Sequence, residues 1–115
     1  KSRVKQTEAT LLLSLDSTWH GDQRSALNSV KYLEQLFPSY EFASLIKPIG
    51  RILKDEASDP VARRLAALAL DELHSEAGDA IIDEVATTCD DKGLQTLCQA
   101  LQGGREYWKI LSSSK

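Results

Sequence analysis

The stretch that decides the fold is Asp59-Pro60-Val61-Ala62-Arg63-Arg64-Leu65-Ala66-Ala67-Leu68-Ala69-Leu70-Asp71-Glu72-Leu73. Asp59 can cap a helix, and Pro60 suits the first helical position, where its missing N–H is not needed. Apolar residues then cover more than half of the helix circumference. Val61, Leu65, Leu68 and Ala69 line one face, and Ala62, Ala66, Leu70 and Leu73 continue around it. A helix this widely apolar is typical of one sandwiched between neighbours, so the pattern predicts stacked helices.

The composition agrees with a single helical domain. The chain has 115 residues, of which 42% are hydrophobic, 27% charged and 6% aromatic, with three prolines. This length suffices for one hydrophobic core but not for two. Because Leu and Ala dominate the apolar set, we predict an all-α fold.

Three helices are predicted before the central one. The first spans 3–15, and the second spans 22–37 and is stopped by Pro38. The third has the cleanest amphipathic pattern, but it contains Pro48. Either this helix begins late, near Ser44, so that the proline falls in its first turns, or it kinks at the proline; we favour the late start.

Two further helices follow the central one, giving six helices in three pairs. Ser75 is placed to cap the fifth, and Asp90-Asp91 end that helix and open the sixth. Gly103-Gly104 end the regular pattern. We therefore divide the chain into a helical domain over 3–102 and a tail over 103–115, which either docks as a short helix or is flexible.

An internal repeat supports the pairing of helices. Moving the second helix onto the central one by 37 positions places Asp22 on Asp59, Leu33 on Leu70 and Leu36 on Leu73. The matched positions are a cap and two core residues. A period near 40 with two helices per unit is the signature of a helical solenoid.

The central stretch resembles the second helix of a HEAT repeat. That pattern has a capping Asp-Pro, an Arg four residues after the Asp, small residues, then Ala-Leu and a closing Leu. Asp59-Pro60, Arg63, Ala66-Ala67, Ala69-Leu70 and Leu73 match it, whereas Ala62 and Asp71 depart from it mildly. The resemblance covers about residues 5–102 and is specific over 59–73.

Membership in this family would imply a right-handed α-α superhelix, a short α-solenoid of about three HEAT-like hairpins. The family most often binds other proteins, and its pattern implies no chemistry. By similarity, Asp59 and Arg63 are expected to pair with charged residues of neighbouring repeats.

Charge is unevenly distributed along the chain, whose net charge is −3. Residues 1–54 carry eight Lys or Arg against five Asp or Glu, whereas residues 55–115 carry six against twelve. Solvated helix faces explain such asymmetry, but it also suits attraction of a basic partner or head-to-tail contact between copies. An acidic chain without a Lys/Arg cluster is a poor candidate for nucleic-acid binding.

No motif indicates catalysis, a cofactor or a metal. G-x-S-x-G, a Gly-rich phosphate loop and H-E-x-x-H are all missing from the sequence. Cys89 and Cys98 do not form a CxxC pair and have no accompanying His cluster, so we expect unpaired apolar thiols. We predict that the chain is not an enzyme.

Six residues are candidates for partner binding. Trp19 and His20 lie in the first loop between helices, where an exposed Trp can anchor an interface, although Trp19 can instead pack over the stack's end. Arg63 and Arg64 form a candidate basic spot. Tyr107 and Trp108 either cover the last helix pair or reach a partner or a second copy.

We therefore predict a non-catalytic scaffold for protein–protein interaction, with an unidentified protein partner. The alternatives are a self-assembling homo-oligomer and, thirdly, a HEAT-like enzyme or nucleic-acid-binding domain. No apolar run approaches the roughly 20 residues that span a membrane. Since the chain starts at Lys1, a cytoplasmic location and export after loss of a signal peptide both stay open, as does a longer parent protein.

Overall fold

Helices account for most of the chain. A computed structural model describes residues 2–38 and 40–113, and 82% of this part is helical with no strand. The all-α prediction is confirmed. The helices are α1 Ser2–Leu15, α2 His20–Ser29, α3 Leu33–Leu36, α4 Ala43–Lys54, α5 Pro60–Leu73, α6 Glu76–Thr88 and α7 Lys92–Ser113, with a 3₁₀ turn, Val30–Tyr32, between α2 and α3.

Three of the helix starts are held by the polar side chains that the sequence indicates. Asp59 accepts a hydrogen bond from the Ala62 N–H at 3.0 Å, and Ser75 accepts one from Gly78 at 2.9 Å. Asp91 does the same for Leu94 at 3.1 Å. Each oxygen satisfies an N–H that has no partner within the helix. The late start of α4 is also confirmed, because Pro48 lies in its second turn.

The second predicted helix differs from the structure in both start and register. Trp19, not Asp22, occupies the cap position of α2, and Asp22 accepts a hydrogen bond from the Ser17 hydroxyl. The 3₁₀ turn after Ser29 has about 3.0 residues per turn instead of 3.6, which rotates later side chains. Leu33 stays buried, but Leu36, predicted as core, is 64% exposed.

The predicted break at Gly103-Gly104 is wrong, since α7 runs through both glycines to Ser113. A glycine pair is unfavourable in a helix because of its backbone entropy, but neither residue has a positive φ. Arg105, which follows them, pairs with Asp79 and Asp83 of α6. These contacts hold the chain in the helical path.

The helices pack as three successive pairs, α1 with α2, α4 with α5, and α6 with α7. Neighbouring pairs also touch: α4 packs on α1 and α6, and α5 packs on α2 and α7. The molecule measures 39 × 37 × 17 Å, and its short dimension fits two layers of helices about 8–10 Å apart. Where α4 meets α6, Gly50 lies so close to Ile81 that a Cβ there would be 2.7 Å from the Ile81 Cδ1.

The core follows the predicted apolar stripes except at Leu36 and on one side of α5. The side of α5 that is fully covered carries mainly small residues and Leu70; Ala62, Ala66, Ala67 and Ala69 are at most 2% exposed. Val61 and Leu68, expected to be buried, are 47% and 43% exposed. Four helices pack against α5, but one of its sides faces solvent.

Candidate binding surfaces

Trp19 lies on the surface, as an interface anchor requires. Its side chain is 68% exposed, and its ring lies across the first turn of α2, where a Cβ on Gly21 would be 2.8 Å from the Trp19 Cη2. Its backbone N–H donates to the Ser17 hydroxyl at 3.1 Å. The backbone of His20 begins α2, but the His20 side chain lies outside the described part of the chain.

Arg63 is not a surface residue. Its side chain is buried (7% exposed), and its Nε donates to the Leu53 carbonyl at 2.9 Å. Its Nη2 is 3.9 Å from the Cys89 Sγ. Arg63 therefore joins the end of α4 to α5 and lies near the end of α6, so it does not share an exposed basic spot with Arg64.

Arg64 is partly exposed and links two helix pairs. Its Nη2 is 3.4 Å from the Asp91 Oδ1, at the start of α7, and its Nη1 donates to the Pro60 carbonyl at 3.2 Å. The pKa of Asp91 is lowered, first by its hydrogen bond from the Leu94 N–H and further by the positive charge of Arg64. The carboxylate stays charged at the helix N-terminus, where the dipole favours it.

Tyr107 projects from the last three turns of α7. It is 65% exposed, as is Ile110, and Leu111 is 41% exposed. These positions share one helix face because they are three and four residues apart. The Trp108 side chain lies outside the described part of the chain.

The structure also has a pocket that the sequence did not predict. It has a volume of about 700 Å³ and lies between the connection that enters α4 and the connection from α5 to α6. Its aromatic side comes from Phe37, Tyr40 and Phe42, and its acidic side from Glu41, Glu72 and Glu76. We call it the acidic-aromatic pocket. Its volume falls within the roughly 300–1,000 Å³ typical of ligand sites.

The aromatic side of this pocket is fixed by contacts outside it. The Tyr40 and Phe42 rings meet edge to face with centroids 4.7 Å apart, a favourable arrangement. The Tyr40 hydroxyl donates to the Glu8 Oε1 at 2.8 Å, and Ser44 donates to the other oxygen of Glu8 at 2.5 Å. The hydrogen bond to the Glu8 carboxylate raises the pKa of Tyr40, so the phenol keeps its proton.

His74 shapes the edge of the pocket through its backbone. It ends α5 in the left-handed conformation (φ 51°, ψ 45°), and its N–H donates to the Asp71 carbonyl at 3.2 Å. A left-handed residue after a helix turns the chain sharply. This turn brings Glu72 and Glu76 to the same opening, although α5 ends between them.

The sequence contains only a weak signal for the acidic-aromatic pocket. Phe37, Tyr40 and Phe42 are three of the seven aromatic residues and fall within six positions. Glu72 and Glu76 lie thirty residues further on. Only the packing of α4 and α5 brings the two groups together.

A second groove lies at the free side of the first helix pair. It has a volume of about 540 Å³ and runs between α1 and the segment 29–36. Leu11, Leu33, Tyr32 and Leu36 give it an apolar lining, and Arg3 lies at its edge. Because no helix of the described residues covers this side of α1, we call it the end groove.

The described residues hold no group of three or more His, Cys, Asp or Glu side chains that could bind a metal ion. Cys89 and Cys98 are free thiols, as expected. Burial raises the pKa of Cys98 to about 11, which makes its thiolate scarce at neutral pH. Over 2–38 and 40–113, every helix is too short or too polar to cross a membrane.

The fold class defined by these observations is an all-α domain of paired helices with open surfaces. No protein-family model matches the chain, and comparison with curated proteins and with solved structures gave no match either. The resemblance to HEAT repeats therefore depends on the residues of 59–73 alone.

Proposed function

We propose that the chain is a non-catalytic helical-repeat scaffold that mediates protein–protein interaction. Its three helix pairs would form a short right-handed α-solenoid of HEAT-like hairpins. The observation that carries this proposal is the packing of each pair on the next through equivalent helices, α2 on α5 and α5 on α7. Such stacking buries one continuous core and leaves the outer faces of both layers free for a partner.

Links between pairs support the repeat interpretation. Arg24 of α2 pairs with the capping Asp59 of α5 at 2.7 Å, and Arg64 of α5 pairs with the capping Asp91 of α7 at 3.4 Å. The Arg24–Asp59 contact between helix pairs supports the pairing that the resemblance predicts for Asp59. Arg63 instead donates to a carbonyl, so Arg64 takes the place that the resemblance gives to Arg63.

The exposed aromatic residues favour binding over a purely structural role. Trp19 and Tyr107 are both largely exposed, and such side chains dominate the energetics of many interfaces. The test is affinity capture from an extract of the source organism, with the chain compared to its Trp19→Ala and Tyr107→Ala variants. Glu56→Ala, at an exposed turn, serves as the control.

We expect the chain and the Glu56→Ala control to capture one protein in common. At least one of the two aromatic variants should fail to capture it. Equal recovery by all four proteins would contradict the assignment of these two residues. Recovery of nothing but the chain itself would contradict the scaffold proposal and favour the second candidate.

That second candidate is self-assembly, which the two free ends of the stack favour. The end groove has an apolar lining, and the Tyr107 face of α7 carries two more exposed apolar residues. A second copy could bury both in a head-to-tail contact. Light scattering from micromolar to millimolar concentration tests this: a mass that rises with concentration and falls in Leu36→Ser supports it, and a constant monomer mass contradicts it.

A further inference from the structure

We propose that the acidic-aromatic pocket binds a lysine or arginine side chain presented by a polypeptide partner. The inference depends on the proposed role in protein binding and names the chemistry of the partner. It rests on three features of this cavity of about 700 Å³, which are its wall of aromatic rings, its three carboxylates and its apolar base.

The wall offers aromatic rings to a cation. Phe37, Tyr40 and Phe42 line the cavity, with centroids 6.3 Å apart for Phe37 and Phe42 and 4.7 Å for Tyr40 and Phe42. A cation within about 6 Å of a ring face is attracted by the ring quadrupole. Because Tyr40 is already held by Glu8, the wall needs little ordering when a ligand binds.

Three carboxylates give the cavity a negative potential. Glu41, Glu72 and Glu76 are exposed, and none of them forms an ion pair within the described residues. Among the described residues, no Lys or Arg lines the pocket. An entering cation therefore meets three carboxylates that form no ion pair with a described Lys or Arg.

The helix ends at the pocket do not reverse this potential. The N-termini of α4 and α6 each contribute about +0.5 charge, whereas the C-terminus of α5 contributes about −0.5. Their sum, about +0.5, is small against three carboxylates. Phosphate, nucleic acid and acidic peptides are therefore disfavoured here, and a basic group is favoured.

The base of the cavity indicates a side chain on a polypeptide instead of a small free cation. Val30, Leu33, Ile46 and Leu73 supply apolar surface beneath the carboxylates. Lys and Arg bury their methylene stems along such surface while the charged head stays near the polar rim. A basic residue with an apolar neighbour fits both parts of the site.

The test is an NMR titration of the ¹⁵N-labelled chain with acetyl-Ala-Leu-Lys-Leu-Ala-amide and with its Arg counterpart. Control peptides carry Nε-acetyl-lysine or Glu at the central position. We expect shift changes centred on residues 37–46 and 72–77, and at least tenfold weaker binding of both control peptides. Binding should also weaken as salt screens the carboxylates.

Variants of the chain separate charge from shape. Glu41→Gln and Glu72→Gln should each weaken binding several-fold, and Tyr40→Leu should do the same by removing a ring. Tyr40→Phe keeps the ring but loses the hydrogen bond to Glu8, so its binding should lie between that of Tyr40→Leu and that of the parent chain. Glu56→Gln, an exposed carboxylate in the α4–α5 turn, should change nothing. The proposal would be overturned if the acetyl-lysine peptide bound as tightly as the lysine peptide, or if the shift changes fell outside residues 37–46 and 72–77. It would also be overturned if Glu56→Gln weakened binding as much as Glu41→Gln and Glu72→Gln.

The two proposals fail in different ways. If a protein is captured through Trp19 or Tyr107 but the basic peptides do not bind, the pocket assignment is wrong and the scaffold function still holds. Peptide binding with no protein captured would overturn the scaffold function and leave the pocket assignment standing.

Discussion

Asp59 caps α5 and binds Arg24 of α2 through the same carboxylate oxygen. The Asp59 Oδ2 accepts the Ala62 N–H at 3.0 Å and the Arg24 Nε at 2.7 Å, and the Arg24 Nη2 is also 2.7 Å away. The hydrogen bond to Asp59 raises the pKa of Arg24. One side chain thus connects the start of the central helix to the preceding helix pair.

Replacement of Asp59 by Ala should remove both interactions. Loss of the cap alone costs about 0.5–2 kcal/mol in comparable helices. Arg24→Ala serves as the matched control, because it removes the ion pair and keeps the cap. Urea unfolding should show a clearly lower free energy of unfolding for Asp59→Ala and a small change for Arg24→Ala. Equal effects would show that the cap contributes nothing beyond the ion pair.

Arg63→Ala should be among the more destabilising single changes. The buried guanidinium satisfies the Leu53 carbonyl at the end of α4, and hydrogen bonds to charged groups contribute about 1.5–3 kcal/mol. Loss of the packed stem adds to this. We expect a decrease of about 2–4 kcal/mol in the free energy of unfolding, measured by urea titration. Arg64→Ala, at a partly exposed neighbour, is the control; a decrease as large in Arg64→Ala would contradict the distinction.

The double variant Gly103→Ala/Gly104→Ala should be more stable than the parent chain. Neither position has another atom within 4 Å of an added Cβ, and neither has a positive φ. Alanine in a helix interior is favoured over glycine by about 1 kcal/mol per residue. Circular dichroism should show greater helicity and a higher melting temperature. A lower melting temperature would contradict the helical conformation of these two positions.

Asp83 should make stability fall at low pH. Hydrogen bonds from Arg105 and then from Gln102 lower the pKa of Asp83. For an acid whose pKa is depressed on folding, the contribution is present above the unfolded value of 3.8 and is lost as pH falls through the folded value. Because about half of the Asp83 side chain is exposed (47%), we expect Asp83→Asn to lose about 0.2–1 kcal/mol at pH 7. Melting curves of the two proteins should converge below about pH 4.

Asp71→Asn is the control, because folding shifts the pKa of Asp71 in the direction opposite to that of Asp83. Burial raises the pKa of Asp71, and Asp79 adds to this against the attraction of His74 and Arg105. Its charged form therefore costs stability as pH rises through its raised pKa. Asp71→Asn should be at least as stable as the parent chain at pH 7. A loss at pH 7 equal to that of Asp83→Asn would contradict the assignment of the two carboxylates.

The two thiols should differ in reactivity. Cys98 is buried with its pKa raised to about 11, whereas Cys89 is half-buried. Since only the thiolate reacts, Ellman's reagent at pH 8 should modify Cys89 first and Cys98 only on unfolding. Cys89→Ser identifies which thiol reacts. Two equally fast thiols in the native chain would contradict the buried position of Cys98.

Local signals in the sequence suffice for the starts of the helices in the second half of the chain. Asp59, Ser75 and Asp91 cap helices that begin where the sequence predicts. The amphipathic pattern of α4 is buried as its spacing indicates. These features depend on residues three or four positions apart, so neighbouring residues alone determine them.

The failures occur where packing overrides local preference. Gly103-Gly104 predict a break, but the bonds from Arg105 to α6 keep α7 continuous. Leu36 repeats a core position by sequence, yet the 3₁₀ turn before α3 rotates it outward. In each case a neighbouring element or a change of helical pitch decides the outcome.

The sequence by itself determined that the chain is helical, that Asp59, Ser75 and Asp91 cap helices, and that the central helix is apolar over much of its circumference. Only the tertiary structure decided which side of α5 faces solvent, which arginine is buried and where the acidic-aromatic pocket lies. Arg63 and Arg64 are adjacent, and their different environments depend on which helices pack around α5. Glu41 and Glu72 share an opening although thirty-one positions separate them. Such long-range placement depends on packing between helices, which local sequence patterns do not specify.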